Sequence, residues 1–122
     1  MCECAKKKQI DQRPWGEFEQ FTCGEPSTVK ILTVNPQEAL SLQYHNRRKE
    51  FWKVIQGQAS ITVGDTVFKA HEGDEFFIAQ GQKHRIETEH SLVKVLEISF
   101  GDFDENDIVR LEDKYKRNKP SV

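Results

Sequence analysis

Eight consecutive residues, Gln43-Tyr44-His45-Asn46-Arg47-Arg48-Lys49-Glu50, bring an amide oxygen, an imidazole and a carboxylate close together in the chain. A later segment, Gly81-Gln82-Lys83-His84, adds a second imidazole. Gln43, His45, Glu50 and His84 together make a mixed oxygen and nitrogen donor set for one divalent metal ion. Such a set suits zinc first, with manganese, cobalt, nickel or iron as alternatives, better than a thiol-seeking ion. Either histidine alone reads as an ordinary surface or core residue; the four at these spacings do not.

The spacing also says what must hold them. Gln43 and His45 are two residues apart, so on an extended strand both point to one face. Arg47-Arg48-Lys49 reads as a polar turn, and Glu50 opens the apolar strand Phe51-Trp52-Lys53-Val54-Ile55. His84 follows the turn signal Gly81 and starts another strand. From Gly16 to Gly101 the pattern predicts strands at 17–22, 27–35, 40–45, 50–56, 58–63, 66–70, 74–79, 83–88 and 91–99. Gly64-Asp65 between two alternating runs is a two-residue hairpin signal. Short, closely spaced strands without intervening helices predict an all-β sandwich or barrel. Asp104-Glu105-Asn106-Asp107 before Ile108-Val109-Arg110-Leu111 reads as a capped short helix or turn over the barrel mouth. Residues 1–12 and 118–122 read as tails, the first of them flexible, around one domain at 13–117. Trp15 and Trp52 read as core or rim aromatics.

The two donor segments resemble the paired motifs of the cupin superfamily. The first reads Gln43-x-His45-x4-Glu50-x6-Gly57, with glutamine in the place of the first histidine. The second reads Gly73-x5-Ala79-Gln80-Gly81-x2-His84-x3-Thr88, with Ala79 for a proline and Thr88 for an asparagine. The glutamine is similar to the phosphomannose isomerase branch, specifically the C-terminal cupin domain of type II, bifunctional mannose-6-phosphate isomerase/mannose-1-phosphate guanylyltransferase. Arg13-Pro14-Trp15-Gly16, Val29-Lys30 with Leu40-Ser41-Leu42-Gln43, and Asp107-Ile108-Val109-Arg110 with Glu112-Asp113-x-Tyr115-x-Arg117 resemble that family's other signatures in the same order. Asn46, Arg47, Phe51 and Lys116 depart from the pattern, at positions that are not presumed ligands. The resemblance implies a single cupin jelly roll.

Arginines form the second constellation. Arginine holds phosphate in a planar, often bidentate geometry and stays charged. Arg48 lies two residues before Glu50, beside the donors. The resemblance implies roles in holding substrate for Arg13, Arg48, Arg110 and Arg117, whereas Arg47 and Arg85 read as surface pairing residues. It also makes Lys30, a strand lysine that would otherwise read as solvent-facing, a candidate for substrate contact and proton transfer. Glu97, flanked by Leu96 and Ile98, is a candidate buried acid or base. Lys30, Arg48 and Glu97 are thus the catalytic candidates. A cation-centred barrel with surplus arginine fits a phosphosugar ligand. The resemblance implies aldose–ketose isomerisation of mannose-6-phosphate to fructose-6-phosphate, against a non-catalytic sugar- or metabolite-binding cupin, or a metal cupin with a different substrate. Only twelve residues precede Arg13 and no Gly-rich phosphate loop appears, so guanylyltransferase activity is not expected.

The whole-chain properties are consistent with a small single domain. The 122 residues carry a net charge of −2, which argues against a general nucleic-acid binder. No apolar run approaches a membrane span, and the start lacks a signal-peptide core. The three cysteines, Cys2, Cys4 and Cys23, read as reduced thiols of a cytoplasmic protein. Exposed apolar strand faces point to a homodimer.

Overall fold

A computed structural model of the chain describes residues 9–101 and 103–112. Eleven strands make up all of the regular structure among them: β1 (Gln9–Arg13), β2 (Gly16–Gln20), β3 (Ser27–Val34), β4 (Leu42–Tyr44), β5 (Lys49–Gln56), β6 (Ala59–Val63), β7 (Thr66–Ala70), β8 (Glu75–Ile78), β9 (His84–Glu87), β10 (Val93–Phe100) and β11 (Val109–Glu112). They form a two-stranded hairpin, β1-β2, a four-stranded sheet in the order β3-β10-β5-β8, and a five-stranded sheet in the order β11-β4-β9-β6-β7. The assigned pairings are antiparallel. This is an all-β fold, as the strand pattern predicts, and a jelly roll, as the resemblance implies.

Strand parity builds the interior. On β5, Glu50, Trp52 and Val54 are buried while Lys49, Phe51 and Lys53 are more exposed. In β9, His84 and Ile86 are buried and Arg85 and Glu87 less so. On β10, Val93, Val95, Glu97 and Ser99 share the inward face. The apolar core is Val34, Trp52, Val54, Ala59, Ile61, Ala70, Ile78, Ile86, Val93 and Val95. Along β5, β9 and β10 the same inward face runs from these apolar residues to Glu50, His84, Glu97 and Ser99. The polar site is thus the far end of the core, reached by the same alternation.

Gly57 closes the β5–β6 turn at φ +84°, and a Cβ there would overlap the Leu92 carbonyl oxygen. Both the left-handed backbone and the close approach require glycine. Gly57→Ala is expected to destabilise the fold by about 2–3 kcal/mol, read by urea denaturation, from strained φ alone before any overlap is counted.

Three expectations change. Residues 9–12, placed in a flexible tail, form β1, because the strand pairs with β2 from Gln9↔Gln20 to Arg13↔Gly16 and so satisfies its backbone groups despite a nearly polar sequence. The segment read as a capped helix or turn is a turn followed by strand β11, which pairs along β4. Cys23, read as a reduced thiol, is disulfide-bonded. No helix among the described residues is long and apolar enough to cross a membrane. Residues 1–8, 118–122 and Arg117 lie outside the described residues.

Candidate metal centre

His45, Glu50 and His84 converge between the two sheets. Glu50 comes from β5, His84 from β9, and His45 from the chain just after β4. Each offers one donor atom, all within 4.8 Å of one another, and all three residues are buried. Glu50 Oε2 lies 3.4 Å from His45 Nε2, and Glu50 Oε1 lies 3.7 Å from His84 Nε2. The two imidazole rings are 5.0 Å apart.

Hydrogen bonds on the far side of each ring aim these donors. His45 Nδ1 is 2.6 Å from the Asp107 carbonyl, and His84 Nδ1 is 2.9 Å from the Gln82 carbonyl. A carbonyl only accepts, so both rings carry their proton on Nδ1 and turn the Nε2 lone pair inward. Metal-binding histidines characteristically donate their other N–H in this way. His84 Nε2 is buried and makes no hydrogen bond among the described residues, a cost that a bound cation removes. The donor types, their separation and this orphaned lone pair fit one divalent ion.

Gln43 stands next to the trio but is not held on it. Its Cα pairs with that of His84 across β4 and β9, and its Oε1 accepts a 2.8 Å bond from Ser41. An amide oxygen has a second lone pair free for a metal.

The electrostatics keep the donors in the form a metal needs. Burial lowers the His45 imidazole from its usual 6.5, aided by Arg48 and opposed by the Asp107 carbonyl. Burial takes His84 down to about 4, against the hydrogen bond to the Gln82 carbonyl. Glu97 moves the other way, to about 7, because it is buried and lies beside Glu50. Trp52 Nε1 donates to both carboxylates, at 3.2 Å to Glu50 Oε1 and 3.3 Å to Glu97 Oε2.

These shifts oppose one another in pH. His84, depressed in the folded protein, contributes stability present above 6.5 and lost as pH falls through about 4. Glu97, raised from 4.5, contributes stability present below 4.5 and lost as pH rises through about 7. Glu97→Gln deletes only the second contribution. Relative to wild type, its stability in chelator is expected to improve with rising pH by up to about 1.4 kcal/mol per unit across that window. Parallel denaturation profiles for the two proteins would contradict this.

Around the trio sit some residues that the sequence singles out and some that it does not. Arg48 is buried, 7% exposed, and its Nε donates to Glu50 Oε2 at 3.0 Å. Lys30 and Glu97 are opposite each other on β3 and β10, on the inward face. Lys30 Nζ and Arg48 Cζ each lie 4.6 Å from the centroid of the Phe103 ring. Phe103 was missed, since a lone aromatic in an acidic segment carries no sequence signal of cation stacking. Asp107 was read as part of a helix cap. Its carboxylate instead accepts the N–H groups of Asn46 and Arg47 at 2.8 and 2.9 Å, pinning the loop between His45 and Glu50. Burial pushes that carboxyl up, but the two amides outweigh it and hold it below its ordinary value.

Of the other arginines, Arg13 contacts Asp11 at 3.9 Å and the Phe18 ring, within the β1-β2 hairpin. Arg110 is on β11 opposite Gln43. Its buried Nε has no hydrogen bond among the described residues. Arg47 pairs with Asp104 and Arg85 with Glu112, both at 2.8 Å.

Known proteins place this geometry in context. Residues 3–113 match the family described as mannose-6-phosphate isomerase C-terminal. The chain is 39% identical over 107 residues to the xanthan biosynthesis protein XanB of Xanthomonas campestris pv. campestris, covering 86% of this chain and 23% of that protein. It is 36% identical to the mannose-1-phosphate guanylyltransferase ManC of Salmonella typhimurium, covering 86% and 22%. It therefore spans less than a quarter of the length of these curated relatives. In fold it is similar to oxalate decarboxylase from Bacillus subtilis, with a TM-score of 0.65, 24% identity and coverage of 71% of this chain and 24% of that one. A cupin protein from Bacteroides fragilis gives a TM-score of 0.56 at 20% identity, covering 64% and 70%.

These relatives correct the functional expectation. The activity named among them is mannose-1-phosphate guanylyl transfer, in ManC and others, so the reading of the chain as a mannose-6-phosphate aldose–ketose isomerase is set aside. The exclusion of guanylyl transfer on length does not stand either, since the match concerns one portion of much longer proteins. The chain belongs to the mannose-6-phosphate isomerase C-terminal family, with a cupin fold and relatives that are enzymes of mannose-phosphate metabolism.

Proposed function

We propose that this chain is the metal-binding cupin portion of a mannose-phosphate enzyme of the mannose-1-phosphate guanylyltransferase kind, in which it holds a phosphorylated mannose against one divalent ion. The observation that carries the reading is the convergence of His45, Glu50 and His84, with Lys30 and Arg48 packed beside them.

In this reading His45, Glu50 and His84 hold the ion, and Gln43 supplies a fourth donor with its free lone pair. Zinc suits two imidazoles and a carboxylate best, and manganese, cobalt, nickel and iron are also served. When bound, the ion supplies Lewis-acid polarisation of sugar oxygens. The chain's own residues do the rest. Arg48 has a buried Nη1 with no hydrogen bond among the described residues, a donor available to a phosphate oxygen. Lys30 adds a second positive charge from the facing strand. Glu97, raised to about 7 by burial and by Glu50 beside it, is placed to hold or pass a proton at its carboxyl oxygen.

Calorimetry on zinc-loaded protein tests this. Mannose-1-phosphate or mannose-6-phosphate is expected to bind at least about 30-fold tighter than mannose, the smaller effect of losing a buried charged partner. Chelation should abolish the binding. Equal affinity for mannose and its phosphates, or binding indifferent to chelator, would set the reading aside.

A further inference from the structure

We propose that Arg48 is the metal site's own counter-cation: its guanidinium and the divalent ion take the same donor atoms in turn, and uptake of the ion turns the guanidinium out toward an anionic ligand. The proposal rests on the reading above that His45, Glu50 and His84 take a divalent ion.

The decisive atom is His45 Nε2. With the ring proton on Nδ1, held by the Asp107 carbonyl, Nε2 has a single lone pair. Arg48 Nη2 lies 3.2 Å away. A guanidinium has no acceptor, so the hydrogen bond runs from Arg48 to that lone pair. A metal bond to His45 Nε2 needs the same electrons, and the two are mutually exclusive. The second contact points the same way. Arg48 Nε donates to Glu50 Oε2 at 3.0 Å, and Oε2 is the Glu50 oxygen facing His45. One edge of the guanidinium therefore spans two of the three donor residues.

The rest of its surroundings explain how it can leave. Its other terminal nitrogen, Nη1, is buried without a hydrogen bond among the described residues. Its Cζ lies on the Phe103 ring, which also carries Lys30 Nζ. An aromatic face attracts a cation without fixing its rotation, so the long side chain can turn on that ring while remaining buried. A dication at the trio repels a guanidinium beside it, and turning relieves this. The turned guanidinium then joins Lys30 as a pair of cations that an anionic group bridges.

The test compares wild type with Arg48→Gln and Arg48→Lys. Cobalt binding is followed by visible absorption and zinc binding by calorimetry. Thermal midpoints are taken in chelator and in saturating zinc. With the competitor gone, Arg48→Gln is expected to bind both ions at least about tenfold tighter than wild type, the equivalent of one charge-assisted hydrogen bond no longer broken. Its midpoint should lie below wild type in chelator, where Glu50 has lost its counter-cation, and at or above it in zinc. Arg48→Lys, which lacks the fork, should shift the same way by less, and it serves if the glutamine variant folds poorly. Unchanged or weaker affinity in the variants, or a lowered midpoint in both conditions, would overturn the exchange while leaving the ion site standing. No metal binding by any of the three proteins would overturn both.

Discussion

Glu50→Ala is expected to lose its metal and much of its stability together. Glu50 is the one anionic donor in the trio, it is fully buried, and each of its oxygens faces a different histidine Nε2. Without it only neutral donors remain, the two imidazoles and the Gln43 amide, a weak site for any hard or borderline dication. The same substitution leaves the buried Arg48 guanidinium without its carboxylate, and breaking such a pair from one side costs roughly 3–5 kcal/mol. Metal affinity is expected to fall by a factor on the order of 100 to several thousand if a comparable free energy is lost from binding. Glu50→Gln separates the two effects, since it keeps the shape and part of the hydrogen bonding. It should bind metal nearly as poorly while unfolding at higher urea than Glu50→Ala. Competition titration with a chromophoric chelator and denaturation in chelator read the two quantities independently.

The second large effect belongs to Trp52, which sits where core and site meet. Its side chain is fully buried in the apolar cluster, its indole N–H is shared by Glu50 and Glu97, and its ring meets His84 edge-on with centroids 5.3 Å apart. Trp52→Ala is expected to cost about 3–5 kcal/mol from cavity formation. Trp52→Phe keeps most of the packing but removes the donor between two facing carboxylates, at a cost of about 1–3 kcal/mol. It should also push Glu97 further above its usual range, because the indole N–H is one of the groups holding that carboxyl down. Urea denaturation of the two variants, repeated at pH 5 and pH 8, checks this: the phenylalanine variant should be penalised more at the higher pH. Equal penalties would mean that the indole N–H contributes little.

Much of this was legible in the chain because strand alternation is a local signal. Glu50 falls on the buried parity of β5 with Trp52 and Val54, and His84 on that of β9 with Ile86, so pattern alone aimed them inward. The Gly64 turn and the β6–β7 hairpin followed from a two-residue signal. What failed depended on partners distant in sequence. β1 has one apolar residue among five and is a strand only because β2 pairs with it in full register. Asp107 sits in an acidic run that mimics a helix cap, yet its N–H partners lie sixty residues earlier, on Asn46 and Arg47. Phe103 gains its meaning only when β3 and the loop before β5 bring Lys30 and Arg48 onto one ring. Arg48 was read as a phosphate ligand, but no spacing rule reveals that its fork reaches back onto His45 and Glu50.

One divalent ion is expected to bind between the sheets at His45, Glu50 and His84. The most direct test of that site is an anomalous difference map at the zinc edge from crystals of zinc-loaded protein. A single strong peak is expected about 2.0–2.2 Å from His45 Nε2, His84 Nε2 and a Glu50 oxygen, as zinc–nitrogen and zinc–oxygen bonds require. A map with no peak there, or with zinc only at the exposed His71 or His90, would contradict it.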